Sequence, residues 1–223
     1  MKILLVRTFA SVMNPASYNS QEIGLARAFI RAGHVCDIVY YNASSPSYDQ
    51  VVETPGSDTP VTIHWRKGYD LFKNAIFPGL GDLIRQYDVL QVSEYDQLTS
   101  WQLYRHQKPG RPVFLYHGPY GSDFTRGYNL KCRVFDPLFN RPGKNRAVTA
   151  FAKSRMAAEF LRKKGFERVI PVGVGLDKDT LKAAYDPSAR PAAAAREDFE
   201  LLYIGVLEER RNIRFLFEVL AEA

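Results

Sequence analysis

Seven short apolar runs punctuate the chain, at residues 2–7, 35–41, 61–65, 88–92, 112–116, 147–152 and 169–172. Most are near-continuous rather than alternating, which is the pattern of strands buried on both faces of a parallel sheet. Between them lie segments of helical period. Ile23, Leu25, Ala26, Phe29 and Ile30 share one helix face that ends at Gly33, a glycine stop. Further helices are expected at 69–86 (interrupted near Pro78-Gly79), 95–106, 127–140 and 154–164. Residues 8–19 are polar, and residues 42–60, rich in Ser, Pro and Asp, read as a long loop. Strands alternating with helices predict an α/β fold: a Rossmann-like, doubly wound parallel sheet with ligands at the strand C-terminal ends.

The pattern changes at 183–199, where two prolines, many alanines and few large apolar residues read as an interdomain linker. An apolar run at 201–204 follows, then Gly205, a charged turn and an amphipathic helix from about Asn212, with Phe215, Leu216, Val219 and Leu220 at helical spacing. One strand and one helix cannot bury their apolar faces alone. The expected organisation is a complete first domain at 1–182, a linker at 183–199, and at 200–223 the opening of an incomplete second domain.

The 223 residues are 46% hydrophobic and 24% charged, as in soluble globular domains. No apolar run approaches the roughly 20 residues of a membrane span, and the first strand is too short for a secretory signal. Two cysteines, Cys36 and Cys132, give neither a disulfide framework nor metal-ligand spacing, and Cys36 reads as inert core. The expected compartment is the cytoplasm. The net charge is +6, but between Arg126 and Arg168 twelve Lys or Arg face only Asp136, Glu159 and Glu167. Nucleic acid, an anionic membrane surface or a phosphate-bearing substrate fits such a segment. For Arg162-Lys163-Lys164 alone, a solvated helix face is the simpler reading.

No Gly-x-Gly-x-x-Gly turn follows the first strand, since glycine is absent before Gly24; this counts against a simple dehydrogenase. The loop after the fifth strand, His117-Gly118-Pro119-Tyr120-Gly121-Ser122-Asp123, gathers a histidine, two glycines, a tyrosine and a carboxylate at the sheet's ligand edge. Its position favours function over a simple turn. His34 and His64 read as structural, and His106 ends a helix, where its charge suits the dipole. Glu94 and Asp96 flank Tyr95 after the fourth strand and are placed to bind an acceptor hydroxyl. Tyr18, Tyr95, Tyr120 and Tyr128 fall near the same rim, where rings stack on sugar faces. No catalytic triad order, thiol nucleophile setting or P-loop is present.

Several segments together resemble the GT-B-fold, retaining glycosyltransferases of family 4. Residues 24–39, GLARAFIRAGHVCDIV, are similar to that family's "LAxxLxxxGHxVxVV" block. TAFAKS at 149–154 resembles its strand ending in "xxS", and PVGVGLD at 171–177 its "PNGVD" domain crossing. YIGVLEERRNI at 203–213 resembles "YVGRLxxxKNI", where the second domain begins. The ordered set spans essentially the whole chain. The resemblance implies an acceptor-binding first domain and a second domain binding a nucleotide-diphosphate sugar, with no cofactor and no required metal. His117 matches the histidine near the donor sugar, expected as catalytic. Ala16 and Ser17 stand where many members carry a Gly-Gly pair near the diphosphate, and Arg211 matches the diphosphate-binding lysine. Val206 replaces an arginine. Tyr18, Glu94, Tyr120 and Asp123 are the expected acceptor-binding residues. The paired-glutamate donor motif would lie beyond Ala223, so the chain alone is expected to be an inactive fragment. Its expected partners are a nucleotide-sugar donor, a carbohydrate or lipid-linked acceptor and an anionic membrane, reached from the cytoplasm on the inner face of the plasma membrane. Nucleic acid is not among them. A non-catalytic Rossmann-like module binding carbohydrate or protein is the alternative.

Overall fold

The computed structural model describes residues 1–15, 20–44, 46–123, 125–177 and 212–222. In chain order the first half contains β1 (Lys2–Val6), α1 (Gln21–Arg31), β2 (Val35–Asn42), β3 (Tyr48–Val52), β4 (Val61–Lys67), β5 (Tyr69–Leu71), β6 (Asn74–Ile76), α2 (Leu80–Ile84) and β7 (Val89–Ser93). Then come α3 (Leu98–Tyr104), β8 (Val113–His117), α4 (Arg126–Phe139), α5 (Pro142–Asn145), β9 (Thr149–Ala152), α6 (Arg155–Lys163), β10 (Val169–Pro171) and α7 (Ile213–Glu222). The chain divides into two compact units, Met1–Lys182 and Ala183–Ala223. In the second unit α7 is the described element, close to the helix expected from Asn212; the expected linker and the strand at 201–204 lie outside the described residues.

Eight strands form one sheet in the order β10-β9-β8-β7-β1-β2-β4-β3. All seven expected strands are present and pair in parallel, with Leu4 opposite Asp37 on one side and Leu90 on the other. The path steps from β1 toward β2 and β4, then returns to β7 and continues the other way. Because such crossovers are right-handed, the two directions place helices on opposite faces. On one face α1 sets Ile23, Ala26 and Ile30 against Ile3, Leu5, Cys36, Ile38 and Ile63. On the other, α2, α3, α4 and α6 bury Ile84, Leu103, Phe135 and Leu161 against Leu4, Val6, Leu90 and Leu115. This is the Rossmann-like, doubly wound sheet that the alternation predicts.

Local chemistry sets the element ends. The Gly33 N–H donates to the Ile30 carbonyl and the His34 N–H to the Phe29 carbonyl, at 2.9 and 3.1 Å, closing α1 with Gly33 in the left-handed region. Ser154 Oγ accepts the Ala157 N–H at 3.0 Å and caps α6.

Two expectations are corrected. The loop expected at 42–60 contains β3, antiparallel to β4. Residues 69–76 do not begin a helix but form the β5–β6 hairpin, with Phe72 and Lys73 both at positive φ in a two-residue turn. Asn74 decides this locally. Its amide donates to the Leu71 and Phe72 carbonyls, and its oxygen accepts the Leu98 N–H that opens α3.

Candidate functional site

The switch in winding direction lies between β1 and β7, so the crevice of this sheet opens at their C-terminal ends. A cavity of about 290 Å³ sits beside it, lined by Arg7, Glu22, Gly24, Ser93, Tyr116 and Gly173 among others. Arg7 Nη1 meets Glu22 Oε1 at 2.6 Å. Arg7 Nε is buried without an acceptor among the described residues. The Tyr116 hydroxyl donates to the Gly173 carbonyl at 3.3 Å, and Lys153 Nζ lies 4.8 Å from the Tyr116 ring centre.

Next to the cavity, Glu94 leaves β7 at φ 57, in the left-handed region that costs a non-glycine residue. That turn sends its side chain across to the end of β8. Glu94 Oε2 stands 2.5 Å from His117 Nδ1 and accepts the Gly118 N–H at 3.1 Å. The Glu94 N–H donates to the Tyr116 carbonyl at 3.0 Å, and the His117 carbonyl accepts the Lys153 N–H at 2.8 Å. One carboxylate therefore ties the ends of β7 and β8 together, and β9 is joined to them through the His117 backbone.

The His117 side chain is fully enclosed, at 0% exposure. Its ring lies parallel to Phe160 at 6.0 Å and edge-on to Tyr95 at 5.4 Å, and neither ring nitrogen makes a hydrogen bond among the described residues, Nδ1 meeting Glu94 as a close contact alone. The His117 side chain is thus enclosed, whereas the residues that follow it, Gly118–Ser122, are half-buried or, at Gly121, exposed. That loop is stitched to α4: the Ser122 N–H donates to Thr125 Oγ1 at 2.8 Å and Asn129 Nδ2 to the Ser122 carbonyl at 2.8 Å.

The donor atoms of Glu94, Asp96 and His117 lie within 4.8 Å of one another, and all three side chains are buried. Such a group is able to hold a cation. The chain supplies one itself, since Lys131 Nζ meets Asp96 Oδ2 at 2.6 Å and the Tyr128 hydroxyl donates to Asp96 Oδ1 at 3.3 Å. A metal ion here would have to displace the Lys131 ammonium.

The structure thus brings Glu94 and His117 into direct contact and sets Asp96 beside them. Tyr120 is half-buried and packs on the core, and Asp123 stands exposed on a turn. Ala16, Ser17, Tyr18 and Arg211 lie outside the described residues. Tyr95 is corrected from a rim ring to a core ring, 2% exposed, with burial foremost in pushing its hydroxyl pKa up. His106 is corrected too. Burial, then Arg105, Arg111, Lys108 and Arg85, lower its pKa, so its charge is disfavoured rather than welcomed at the helix end. Sequence reasoning missed Arg7, Glu22, Tyr116 and Lys153. Arg7 ends one predicted strand and Lys153 follows another, and that position was the signal that would have found them. His64 proves structural, bonded to the Tyr87 hydroxyl at 2.9 Å and beside Asp49 at 3.0 Å.

Residues 23–178 match the sequence model of the family described as Glycosyltransferase Family 4. No curated protein matches. Among solved structures, the catalytic domain of starch synthase IV from Arabidopsis thaliana, bound to ADP and acarbose, is 15% identical with a TM-score of 0.45 over 83% of this chain and 54% of that one. An alpha-glucosyltransferase in complex with UDP-glucose and DNA containing an abasic site is 15% identical, with a TM-score of 0.38 over 78% of this chain and 41% of that one. The same kind of enzyme with UDP is 13% identical, with a TM-score of 0.38 over 77% and 40%. The chain spans about half the length of the solved structures it resembles, or less.

Proposed function

Because the chain belongs to Glycosyltransferase Family 4, we propose that it forms the acceptor-binding side of a retaining enzyme. That enzyme moves a sugar from a nucleotide-diphosphate sugar to a carbohydrate or lipid-linked acceptor. The observation that carries this reading is the Glu94 clamp at the crevice. One buried carboxylate fixes His117 and the Gly118 amide at the ends of adjacent strands, so the loop from Gly118 to Asp123 has a set shape. Rigid backbone at strand ends is what an acceptor hydroxyl needs for orientation. Arg7, Glu22, Ser93 and Tyr116 offer hydrogen-bonding groups along the neighbouring cavity. His117 then acts by supporting this edge, with its ring available to a sugar only if the loop opens. Ala16, Ser17 and Arg211 remain proposed contacts to the donor diphosphate, and Tyr18, Tyr120 and Asp123 proposed contacts to acceptor. The scheme uses no metal, as the family resemblance implies. Peripheral association with the inner face of the plasma membrane completes the proposal.

Saturation-transfer NMR of the 223-residue chain with mono- and disaccharides, and separately with UDP-glucose and GDP-mannose, tests it. Saccharide contacts that vanish in Glu94→Ala, together with weak nucleotide signals, are the expected result. Micromolar nucleotide-sugar binding without any saccharide signal would assign the donor, not the acceptor, to this side.

A further inference from the structure

Three buried side chains with ligand-type atoms meet at the ends of β7 and β8. Glu94, Asp96 and His117 are 5%, 1% and 0% exposed, and their donor atoms all lie within 4.8 Å of one another. Buried carboxylates ordinarily face a cation or a full set of hydrogen-bond donors. Here two carboxylates share one ammonium, that of Lys131 on α4, which meets Asp96 Oδ2 at 2.6 Å. Glu94 Oε2 has the Gly118 N–H and, at 2.5 Å, His117 Nδ1.

The imidazole is the decisive member of this group. It is wholly enclosed, yet neither of its nitrogens makes a hydrogen bond among the described residues. An imidazolium paired with Glu94 would direct its Nδ1–H along a hydrogen bond, and the contact, though close, is not so directed. One ring nitrogen and two carboxylates turned toward one another are a set that a divalent ion gathers. The parts that would hold them are also in place. The Gly118 N–H donates to Glu94 at 3.1 Å, the Tyr128 hydroxyl donates to Asp96 Oδ1 at 3.3 Å, and Tyr95 and Phe160 pack on the imidazole. Partners of this kind orient metal ligands.

We propose that Glu94, Asp96 and His117 form a divalent metal site of zinc type, filled in exchange for the Lys131 ammonium. A mixed nitrogen and oxygen set of three suits zinc with a water as fourth ligand. Magnesium and calcium prefer oxygen, and more of it, so this set disfavours them. Ligands about 2 Å from a tetrahedral zinc stand roughly 3.3 Å apart, between the 2.5 Å contact and the 4.8 Å limit of the cluster. The entry path is the one Lys131 vacates: its side chain is 30% exposed, so the ammonium can withdraw into water and open the way to Asp96. The exchange would trade a tie between the β7 loop and α4 for a tie between the ends of β7 and β8. Zinc would thus tune the rim without taking part in sugar transfer. Metal binding is read with no sugar present, so this inference and the transferase reading can fail separately.

The test is calorimetric titration of the chelator-stripped full chain with zinc alone, and separately with magnesium and with calcium. One zinc per chain is expected, with no heat from the other two at the same concentrations. Lys131→Met removes the competing charge while keeping the bulk, and should tighten zinc about tenfold. Asp96→Asn should weaken it at least about tenfold. His34→Gln and His106→Gln, outside the cluster, should bind as wild type. Zinc should also raise the Tm of Lys131→Met more than that of wild type, because Asp96 lacks its cation there until the metal binds. Should Lys131→Met not fold, the wild-type chain still decides: cobalt should shift the His117 ring signals ahead of those of the other three histidines. Zinc binding that is absent, that is lost in His34→Gln or His106→Gln, or that Asp96→Asn and Lys131→Met leave unchanged would overturn the inference. So would cobalt shifts that begin at another histidine.

Discussion

Replacing Asp177 with alanine probes how the segment that leaves the sheet is held. Residues 172–177 follow β10 and run back past α1, where Asp177 Oδ2 meets Arg27 Nη1 at 2.8 Å; the two side chains are 1% and 11% exposed. Arg27 also donates through Nε and Nη2 to the Glu53 carbonyl, at 3.1 and 2.9 Å. Gly24 makes the approach possible, because a Cβ there would lie 2.7 Å from Asp177 Cβ. Removing one member of a buried ion pair costs about 3–5 kcal/mol, and a hydrogen bond to a charged group nets about 1.5–3 kcal/mol. Arg27 keeps its bonds to Glu53 and gains water once the segment lifts, so the expected loss lies in the lower of these ranges, about 2–3 kcal/mol. For a unit this size that lowers Tm by about 5–10 °C. Urea unfolding followed through Trp65 and Trp101, both in the first unit, gives the free energy, and amide exchange at 172–177 reports local release. Gly24→Ala should speed the same exchange. Arg27→Met combined with Asp177→Leu should cost less than Asp177→Ala alone, because no charge is left unpaired. An Asp177→Ala protein within about 0.5 kcal/mol of wild type, with unchanged exchange at 172–177, would refute the reasoning.

Three further outcomes follow from the geometry. Glu94→Ala leaves the Gly118 N–H without its acceptor and removes the carboxylate beside the buried His117 ring, and should destabilise the unit by about 1–3 kcal/mol in urea; a change within error would deny the clamp. His106 has a lowered pKa from burial and its cationic neighbours. The unfolded state therefore binds the extra proton more readily, and stability falls as pH drops through the ordinary histidine range. His106→Gln should lose less stability than wild type between neutral and mildly acid pH, and identical slopes would exclude this cause. Ser154→Ala removes the α6 cap and should cost about 1 kcal/mol with the refolded structure intact; calorimetry would show it.

Much of the fold could be read because burial imposes its own pattern. β1, β2 and β4 lie inside the sheet, so their runs are apolar on both faces, and α1 shows its core side at helical spacing. β3 was hidden because it is an edge strand with exposed and half-exposed side chains, leaving no apolar signal. The β5–β6 hairpin was hidden for another reason. Its turn uses Phe72 and Lys73 where Asn-Gly is the recognisable signal, and Asn74 rescues it through contacts with α3. At the site, chain order placed Glu94 and His117 after neighbouring strands, yet nothing linear revealed that they touch, that His117 is enclosed, or that Lys131 answers Asp96.

The amino-acid order by itself determined the doubly wound sheet and the family, because each rests on local period and on motifs read in sequence. The tertiary structure alone decided which carboxylate meets which cation, that one histidine is enclosed, and that α4 shows leucines to the outside. Those outcomes depend on distances between residues far apart in the chain, and on which helix face the sheet claims first.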